Sequence, residues 1–173
     1  MKDLQSIKFW IFDLDNTLYS GNTRVFEQVD KKMTEYISKK LKVDKEEARK
    51  IQKNYFHEYN TTLNGMIKNH KINAHEFLEF VHDINIEFLQ KDPELAKEIK
   101  RLDGIKIIFT NGSRKHALNV TKRLGVDQLF DDIFDIVDCN FIPKPLMEPY
   151  KKLVEKHKID PKLCVLVEDI ARN

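Results

Sequence analysis

Two aspartates separated by a single residue follow an apolar run near the start of the chain. The run is IKFWIF at 7–12, and Asp13 and Asp15 come directly after it in the sequence DLDNT. Two carboxylates this close repel each other unless positive charge lies between them, and Mg²⁺ is a hard cation that prefers oxygen ligands. The same residue types also serve as ordinary turn and helix-capping residues. By itself the motif therefore fits a cation site and a structural turn about equally well.

The same arrangement, an apolar run that ends in polar residues, recurs twice further along the chain. IKIIFTNG occupies 105–112 and CVLVED occupies 164–169. Strands buried on both faces have near-continuous apolar sequences, and ligands of open α/β sheets bind just beyond the carboxyl ends of the strands. Because three such strands would deliver polar side chains to one edge, the recurrence favours a ligand site.

The residues at these strand ends could carry out phosphoryl transfer. A carboxylate attacks phosphorus only where positive charge offsets the repulsion between two anions. Asp13 could form an aspartyl phosphate, while Asp15 could protonate the leaving oxygen and later deprotonate the attacking water. Backbone N–H groups, a hydroxyl and a compact cation suit phosphate oxygens. The expected phosphate-binding residues are Thr110, Asn111 and Lys144, and the expected Mg²⁺ ligands are Asp13, Asp15 and Asp169.

After residue 104 the chain alternates short strands with helices, which indicates a parallel sheet. Strands are predicted at 105–109, near Phe134 to Val137 and at 164–168, and helices at 114–124 and 147–157. Together with the first apolar run, this pattern predicts an α/β fold with a doubly wound, Rossmann-like parallel sheet.

The segment between the first two strands, 20–104, has helical periodicity throughout and is much longer than a crossover connection requires. Capping signals and apolar spacing predict helices at 25–41, from Asp44 to Tyr59, from Asn73 to about Phe88, and from Asp92 to about Asp103. We therefore predict an inserted all-helical cap at 20–92, with 1–19 and 93–173 forming the α/β core.

The ordered set of motifs resembles the haloacid dehalogenase superfamily of phosphohydrolases. Its four motifs match, in order, DLDNT at 13–17, Thr110, Lys144 before Pro145, and the acidic pair 168–169. The resemblance implies that the first aspartate is the nucleophile and the second the acid/base. It also implies that Thr110 and Lys144 bind the phosphoryl group.

For the metal, the resemblance implies that Asp13, Asp15 and Asp169 hold Mg²⁺, with the backbone carbonyl of Asp15 as an additional ligand. Glu168 is expected to contact these ligands rather than the metal itself, or to bind the metal through a bridging water.

Within this superfamily the chain is similar to the pyrimidine 5'-nucleotidase group, through FDLDNTLY at 12–19, EYNTTLNG at 58–65 and FTNGSRKHA at 109–117. This similarity implies hydrolysis of small phosphomonoesters, with nucleoside 5'-monophosphates as the favoured substrates. Relatives continue beyond the fourth motif, so we also expect that part of the core follows Asn173.

Other functions use the same residues. A sugar-phosphate phosphatase or a phosphomutase would need the same core, and a non-catalytic phosphate-binding protein could retain it. A haloacid dehalogenase needs neither Mg²⁺ nor an acid for the departing halide, so Asp15 favours phosphoryl transfer. A receiver-like signalling domain is disfavoured because it has no helical cap.

Several further residues have weaker signals. Tyr19 and the run 60–62 (Asn60, Thr61, Thr62) are candidate specificity residues between cap and core, whereas the aromatic residues at 55, 56 and 59 favour packing within the cap. His116 is interpreted as structural. Arg114 either assists phosphate binding or begins its helix.

Composition restricts the partners. Thirty basic and 28 acidic residues leave a net charge of +2, which does not suggest nucleic acid binding. The two cysteines have no metal-site spacing and are expected to be reduced and buried. No apolar stretch is long enough for a signal peptide or a membrane span, which predicts a cytoplasmic protein. The sequence carries no signal for an oligomeric state.

Overall fold

A four-stranded parallel sheet forms the centre of the structure, a computed structural model that describes residues 4–173. The strands are β1 (Phe9–Phe12), β2 (Ile105–Phe109), β3 (Asp132–Phe134) and β4 (Cys164–Val167), in the spatial order β3-β2-β1-β4. β1 pairs with β2 on one side and with β4 on the other, so that Phe12 is opposite both Ile108 and Val167. The strand order therefore reverses at β1, and the predicted parallel α/β sheet is confirmed.

Helices cover both faces of this sheet, because strand side chains alternate between the faces. The helices are α5 (Pro93–Lys100), α6 (Arg114–Leu124) and α7 (Met147–His157). Trp10 and Phe12 pack in one apolar cluster with residues of α5 and α6, whereas Ile11 packs in another with Leu153 of α7. This arrangement is the predicted doubly wound one. Short 3₁₀ helices occur at Leu4–Ser6, Gly21–Thr23, Asp127–Leu129 and Pro161–Leu163.

The remaining helices lie between β1 and β2 and share a third apolar cluster. They are α1 (Val25–Leu41), α2 (Lys45–Tyr59), α3 (Thr62–His70) and α4 (Ala74–Val81), and we call residues 25–81 the helical insertion. Val29, Ile37, Met66 and Phe77 are fully buried in its cluster. The predicted caps are present, since the side chain of Asp44 accepts a hydrogen bond from the Glu47 N–H.

Two helices of this region differ from the sequence prediction. α3 was not distinguished as a separate helix; it begins after Thr61, whose hydroxyl accepts a hydrogen bond from the Asn64 N–H. α4 ends at Val81 rather than near Phe88. The chain turns there because Ile84 and Ile86 pack against the sheet cluster instead of continuing the helix.

The predicted strand near Phe134 to Val137 lies two or three residues earlier, at Asp132–Phe134. Asp135 ends it, because its carboxylate accepts hydrogen bonds from the N–H groups of Val137 and Asp138 and folds the chain into a turn. α5 likewise ends at Lys100, before the predicted position near Asp103.

Two further expectations from the sequence concern membrane-spanning segments and the cysteines. Within residues 4–173, no helix is long and apolar enough to cross a membrane. Both cysteines are free; Cys139 is buried, but Cys164 is only partly buried, because the edge strand β4 is not covered as fully as β1 and β2.

Candidate active site

The ends of β1, β2 and β4 converge at the point where the strand order reverses, which is where ligands of open α/β sheets bind. Asp13 follows β1, Thr110 follows β2 and Glu168 follows β4, and all three line a cavity of about 230 Å³. The helical insertion forms the opposite wall of this cavity. The topology therefore brings together the three polar strand ends that the sequence singled out.

A buried lysine joins two of these carboxylates. The Lys144 ammonium group lies 2.8 Å from Asp13 Oδ1 and 2.6 Å from Glu168 Oε1, and it also donates to the Phe109 carbonyl at 2.9 Å. Its side chain is only 1% exposed. The second oxygen of Asp13 accepts a hydrogen bond of 3.1 Å from the Thr17 hydroxyl. The predicted nucleophile is thus held in a fixed orientation at the floor of the cavity.

One lysine does not neutralise the negative charge of this site. Burial raises the pKa of Asp13 to about 6; Lys144 opposes this increase, but the charges of Glu168 and Asp15 add to it. The pKa of Asp169 is also raised, first by burial and then by the adjacent Glu168. Raised carboxyl pKa values mean that the site favours additional positive charge, whether from protons or from a cation.

The carboxylates can hold a metal ion. One oxygen from each of Asp13, Glu168 and Asp169 lies within 4.8 Å of the others. This all-oxygen donor set fits Mg²⁺. The set contains two of the three predicted ligands, Asp13 and Asp169, but not the Asp15 carboxylate, whose Oδ1 atom bonds to Tyr19 and His116 instead. Glu168 is engaged by Lys144 and by the side-chain amide of Asn173 at 2.6 Å.

Asp15 is held by two donors on the same oxygen. The Tyr19 hydroxyl lies 2.5 Å and the His116 Nε2 atom 2.8 Å from Asp15 Oδ1. Burial alone would raise the pKa of Asp15, but the charge and hydrogen bond of His116, the Tyr19 hydroxyl and the charge of His82 together lower it to about 2. Asp15 is therefore ionised across the neutral pH range in the metal-free structure.

The predicted phosphate-binding residues surround the same floor. Thr110 is 1% exposed, and its hydroxyl accepts a hydrogen bond of 2.9 Å from the Gly112 N–H. The Asn111 side chain accepts from the Lys144 N–H at 2.9 Å and donates to the Lys144 carbonyl at 3.3 Å. Because its amide is engaged in this way, Asn111 fixes the main chain that carries Lys144, and only its backbone N–H is left for phosphate.

The sequence allows both a phosphate-binding and a structural role for Arg114, and the contacts of its side chain are structural. Its guanidinium group donates to Asp132 at 3.1 Å, to Asp138 at 3.3 Å and to the Ile133 carbonyl. Its N–H donates to Asp135 at 2.7 Å as α6 begins. All of its partners belong to β3 and the turn after it.

The wall opposite the phosphate floor combines apolar side chains with polar ones, among them Asp30, Gln52 and Lys53. Its apolar residues from α1, α3 and α4 are Phe26, Val29, Met33, Leu63, Phe77, Leu78 and Val81. The predicted run 60–62 lines the cavity, as does Phe56, whose ring lies 4.7 Å from the Arg172 guanidinium. Tyr55 instead packs against Gly65 and bonds to His70 at 2.7 Å.

Three residues near Asp15 were assigned other roles or were missed. His116 was interpreted as structural, Tyr19 as a specificity residue, and His82 was not singled out. Tyr19 has one recognisable signal, since it lies four residues after Asp15 and was noted within FDLDNTLY. His82 and His116 are far from Asp15 in the sequence, and only the tertiary fold brings them close to it.

Comparison with known proteins identifies relatives over most of the chain. Residues 7–173 match the model of the haloacid dehalogenase-like hydrolase family. Phosphate metabolism protein 8 from Saccharomyces cerevisiae is 30% identical over 136 residues, which cover 73% of this chain and 42% of the yeast protein. The chain thus spans less than half of that relative's length.

Solved structures share the fold at lower identity. A HAD phosphatase from Thermococcus onnurineus superimposes with a TM-score of 0.60 and 20% identity, over 96% of this chain and 79% of its own. YfnB from Bacillus subtilis, a HAD-family protein bound to magnesium, gives a TM-score of 0.55 and 17% identity over 92% and 77%. The L-2-haloacid dehalogenase from Xanthobacter autotrophicus gives 0.51 and 14% over 92% and 69%.

Proposed function

The chain belongs to the haloacid dehalogenase-like hydrolase family, and from this premise we propose that it is a Mg²⁺-dependent phosphomonoesterase that forms an aspartyl phosphate on Asp13. The observation that carries the proposal is the environment of that carboxylate. Asp13 is buried, oriented by Lys144 and Thr17, and adjacent to two further carboxylates at the reversal point of the sheet. A dehalogenase has no need for that acidic group or for a proton donor at Asp15.

The reaction has two steps in which Asp15 moves the proton. Asp15, which is ionised when no ligand is bound, first takes up a proton from solvent, and the negative charge of the substrate's phosphate group favours this uptake. An oxygen of Asp13 then attacks phosphorus, the bond from phosphorus to the leaving oxygen breaks, and Asp15 supplies the proton to that oxygen. In the second step Asp15 takes a proton from water as the water oxygen attacks phosphorus. The bond between phosphorus and Asp13 breaks, so that inorganic phosphate leaves and both carboxyl groups return to their starting states.

Positive charge is needed in both steps. When bound, Mg²⁺ would reduce the repulsion between the nucleophile and the phosphoryl oxygens. Asp13, Asp169 and the Asp15 carbonyl are the proposed ligands. Lys144 remains as the protein's own cation, and its ammonium group is already 2.8 Å from Asp13. Asn111 keeps it there by holding the Lys144 main chain.

We assign the domains as predicted, with 20–92 as a cap and 1–19 and 93–173 as the core. The helical insertion forms the wall that faces Asp13 across the cavity, so the leaving group of the substrate would lie against it. Closure of such a wall excludes water from the first step. A wall of apolar and polar side chains is compatible with a nucleoside, and the similarity to pyrimidine 5'-nucleotidases makes nucleoside 5'-monophosphates the favoured substrates.

Phosphate release from a panel of nucleoside 5'-monophosphates and sugar phosphates, with Mg²⁺ and with EDTA, tests the proposal. We expect metal-dependent release that is abolished by Asp13→Asn and strongly reduced by Asp15→Asn. The surface substitution Asp127→Asn is the matched control and should behave like the wild type. Activity near the wild-type level in Asp13→Asn would refute the mechanism.

The panel also separates the alternatives. A preference for sugar phosphates would retain the chemistry and reject the nucleotide, and a transferred rather than released phosphoryl group would indicate a mutase. Phosphate binding without turnover would indicate a binding protein.

A further inference from the structure

Three side chains form a continuous arrangement with the proposed acid/base. Tyr19 comes from the segment after β1, His116 from α6, and His82 from the end of α4 in the helical insertion. Tyr19 and His116 bond to Asp15, and His82 stacks on His116. The proposed reaction gives a role to Asp15 alone, so the other three residues need an explanation of their own.

The two donors on Asp15 fix which of its oxygens faces the reaction. Both the Tyr19 hydroxyl and His116 Nε2 are directed at Oδ1. Oδ2 lies on the side of the phosphate-binding segment, because a methyl group added at Gly112 would be 3.6 Å from it. A carboxylate that is anchored through one oxygen presents the other in a constant direction, and proton transfer depends strongly on such geometry.

His116 is itself held in place by the helical insertion. Its ring is 2% exposed and stacks on the ring of His82, with the centroids 4.3 Å apart and the planes inclined by 9°. His82 Nδ1 lies 3.0 Å from the hydroxyl of Ser113, which caps α6. The His82 N–H donates to the Leu78 carbonyl at the end of α4, so the orientation of His82 follows that helix.

We propose that Tyr19 and His116 are positioning residues for Asp15, and that His82 sets the plane of the His116 ring. The inference rests on the proposed function, because it requires Asp15 to transfer the proton to the leaving group. Its consequence is that the acid/base is correctly oriented only when the end of α4 is seated against α6. The helical insertion would then act on the chemistry as well as on the selection of the substrate.

This role predicts a dependence on the leaving group that a merely structural role does not. A nitrophenolate leaves without a proton, whereas an alkoxide must be protonated as it departs. 4-Nitrophenyl phosphate and 4-nitrobenzyl phosphate are of similar size and differ in this respect. Because general acid catalysis contributes roughly 10²- to 10⁴-fold, partial loss of positioning should reduce kcat/KM, which reports the phosphorylation step, about tenfold more for the benzyl ester than for the phenyl ester.

The first variants act on the two donors. Tyr19→Phe removes only the hydroxyl, and His116→Leu removes the ring nitrogen, whereas His116→Gln retains an N–H donor. We expect the leaving-group effect in Tyr19→Phe and His116→Leu, with partial recovery in His116→Gln. Tyr55→Phe is the matched control, because its hydroxyl bonds to His70 within the insertion. Circular dichroism and urea unfolding of each variant show whether it is folded.

A second pair tests the stacked ring. His82→Ala should show the leaving-group effect, and His82→Phe, which keeps an aromatic ring at that position, should retain most of the wild-type behaviour. Equal losses of kcat/KM for both esters would overturn the positioning role.

Asp15→Asn distinguishes the inference from the proposed function. If Asp15→Asn lacks the leaving-group effect, or if the wild type hydrolyses neither ester nor any phosphomonoester, the proposed function fails and the inference fails with it. If Asp15→Asn shows the effect but Tyr19→Phe and His116→Leu do not, only the inference fails.

Discussion

The burial of Asp13 predicts that its carboxyl group stabilises the folded, metal-free protein increasingly as the pH falls from 8 to 5. The folded-state pKa of Asp13, about 6, lies above the ordinary value of 3.8. The folded protein therefore binds this proton more tightly than the unfolded chain does. Stabilisation begins as the pH falls through 6 and is complete below 3.8, whereas above 6 the ionised carboxylate is a cost to the folded state.

The size of the effect follows from the shift. The complete difference corresponds to about 3 kcal/mol, and titration between pH 8 and pH 5 should yield about 1 to 2 kcal/mol of it. Asp15 does not interfere in this range, because its pKa of about 2 confines its contribution to lower pH. Its depressed pKa stabilises the folded state above 3.8, and that stability is lost as the pH falls towards 2.

Urea unfolding in EDTA measures the prediction when wild type and Asp13→Asn are compared at pH 8, 6 and 5. Taking the difference removes the pH dependence that both proteins share. We subtract the free energy of unfolding of the wild type from that of Asp13→Asn. This difference should be about 1 to 2 kcal/mol larger at pH 8 than at pH 5, which means that the variant is relatively more stable at pH 8. Added Mg²⁺ should stabilise the wild type more at pH 8, because the cation then has no proton to displace. A difference that is the same at all three pH values would refute the reasoning.

Two further substitutions test the packing of the site and of the insertion. Lys144→Met leaves two buried carboxylates without their cation and should lower the free energy of unfolding at pH 8 by about 3 to 5 kcal/mol. The control Lys31→Met replaces an exposed lysine and should change it by less than about 0.5 kcal/mol. Similar urea midpoints for the two variants would contradict this expectation. In Gly65→Ala the new methyl group would lie 2.2 Å from Tyr55 Cγ. This overlap should lower the free energy of unfolding, measured in urea, by about 1 to 3 kcal/mol despite the better helix propensity of alanine. An unchanged or higher stability would show that α2 and α3 can move apart without loss of stability.

The sheet could be predicted because its strands are buried on both faces. Such strands have near-continuous apolar sequences, and the alternation after residue 104 left little choice of topology. The errors occurred where tertiary packing or a side chain overrides local pattern. Asp135 ends β3 by binding the N–H groups that would continue it. Ile84 fits the helical spacing of α4, but it packs on the sheet cluster after the helix has ended.

The site was predictable to the extent that its residues lie at strand ends. Asp13, Thr110 and Asp169 follow strands directly, so topology alone brings them to one edge. The partners of Asp15 differ in this respect. His116 is 101 residues from Asp15 and lies within a helix, where no local rule distinguishes a buried structural histidine from one that binds a carboxylate.

The helical insertion contacts the site at a second place, through the segment that carries Lys144. Ile136 and Phe141 pack in the apolar cluster of the insertion, and the Phe141 ring meets the edge of His75 with the centroids 5.3 Å apart. The same segment is tied to the end of β2 by Asn111. Movement of the insertion away from the core would therefore disturb these contacts on the approach to Lys144 as well as the His82 stack. Movement of the insertion would thus affect both Lys144, which bonds to the proposed nucleophile, and His116, which bonds to the proposed acid/base.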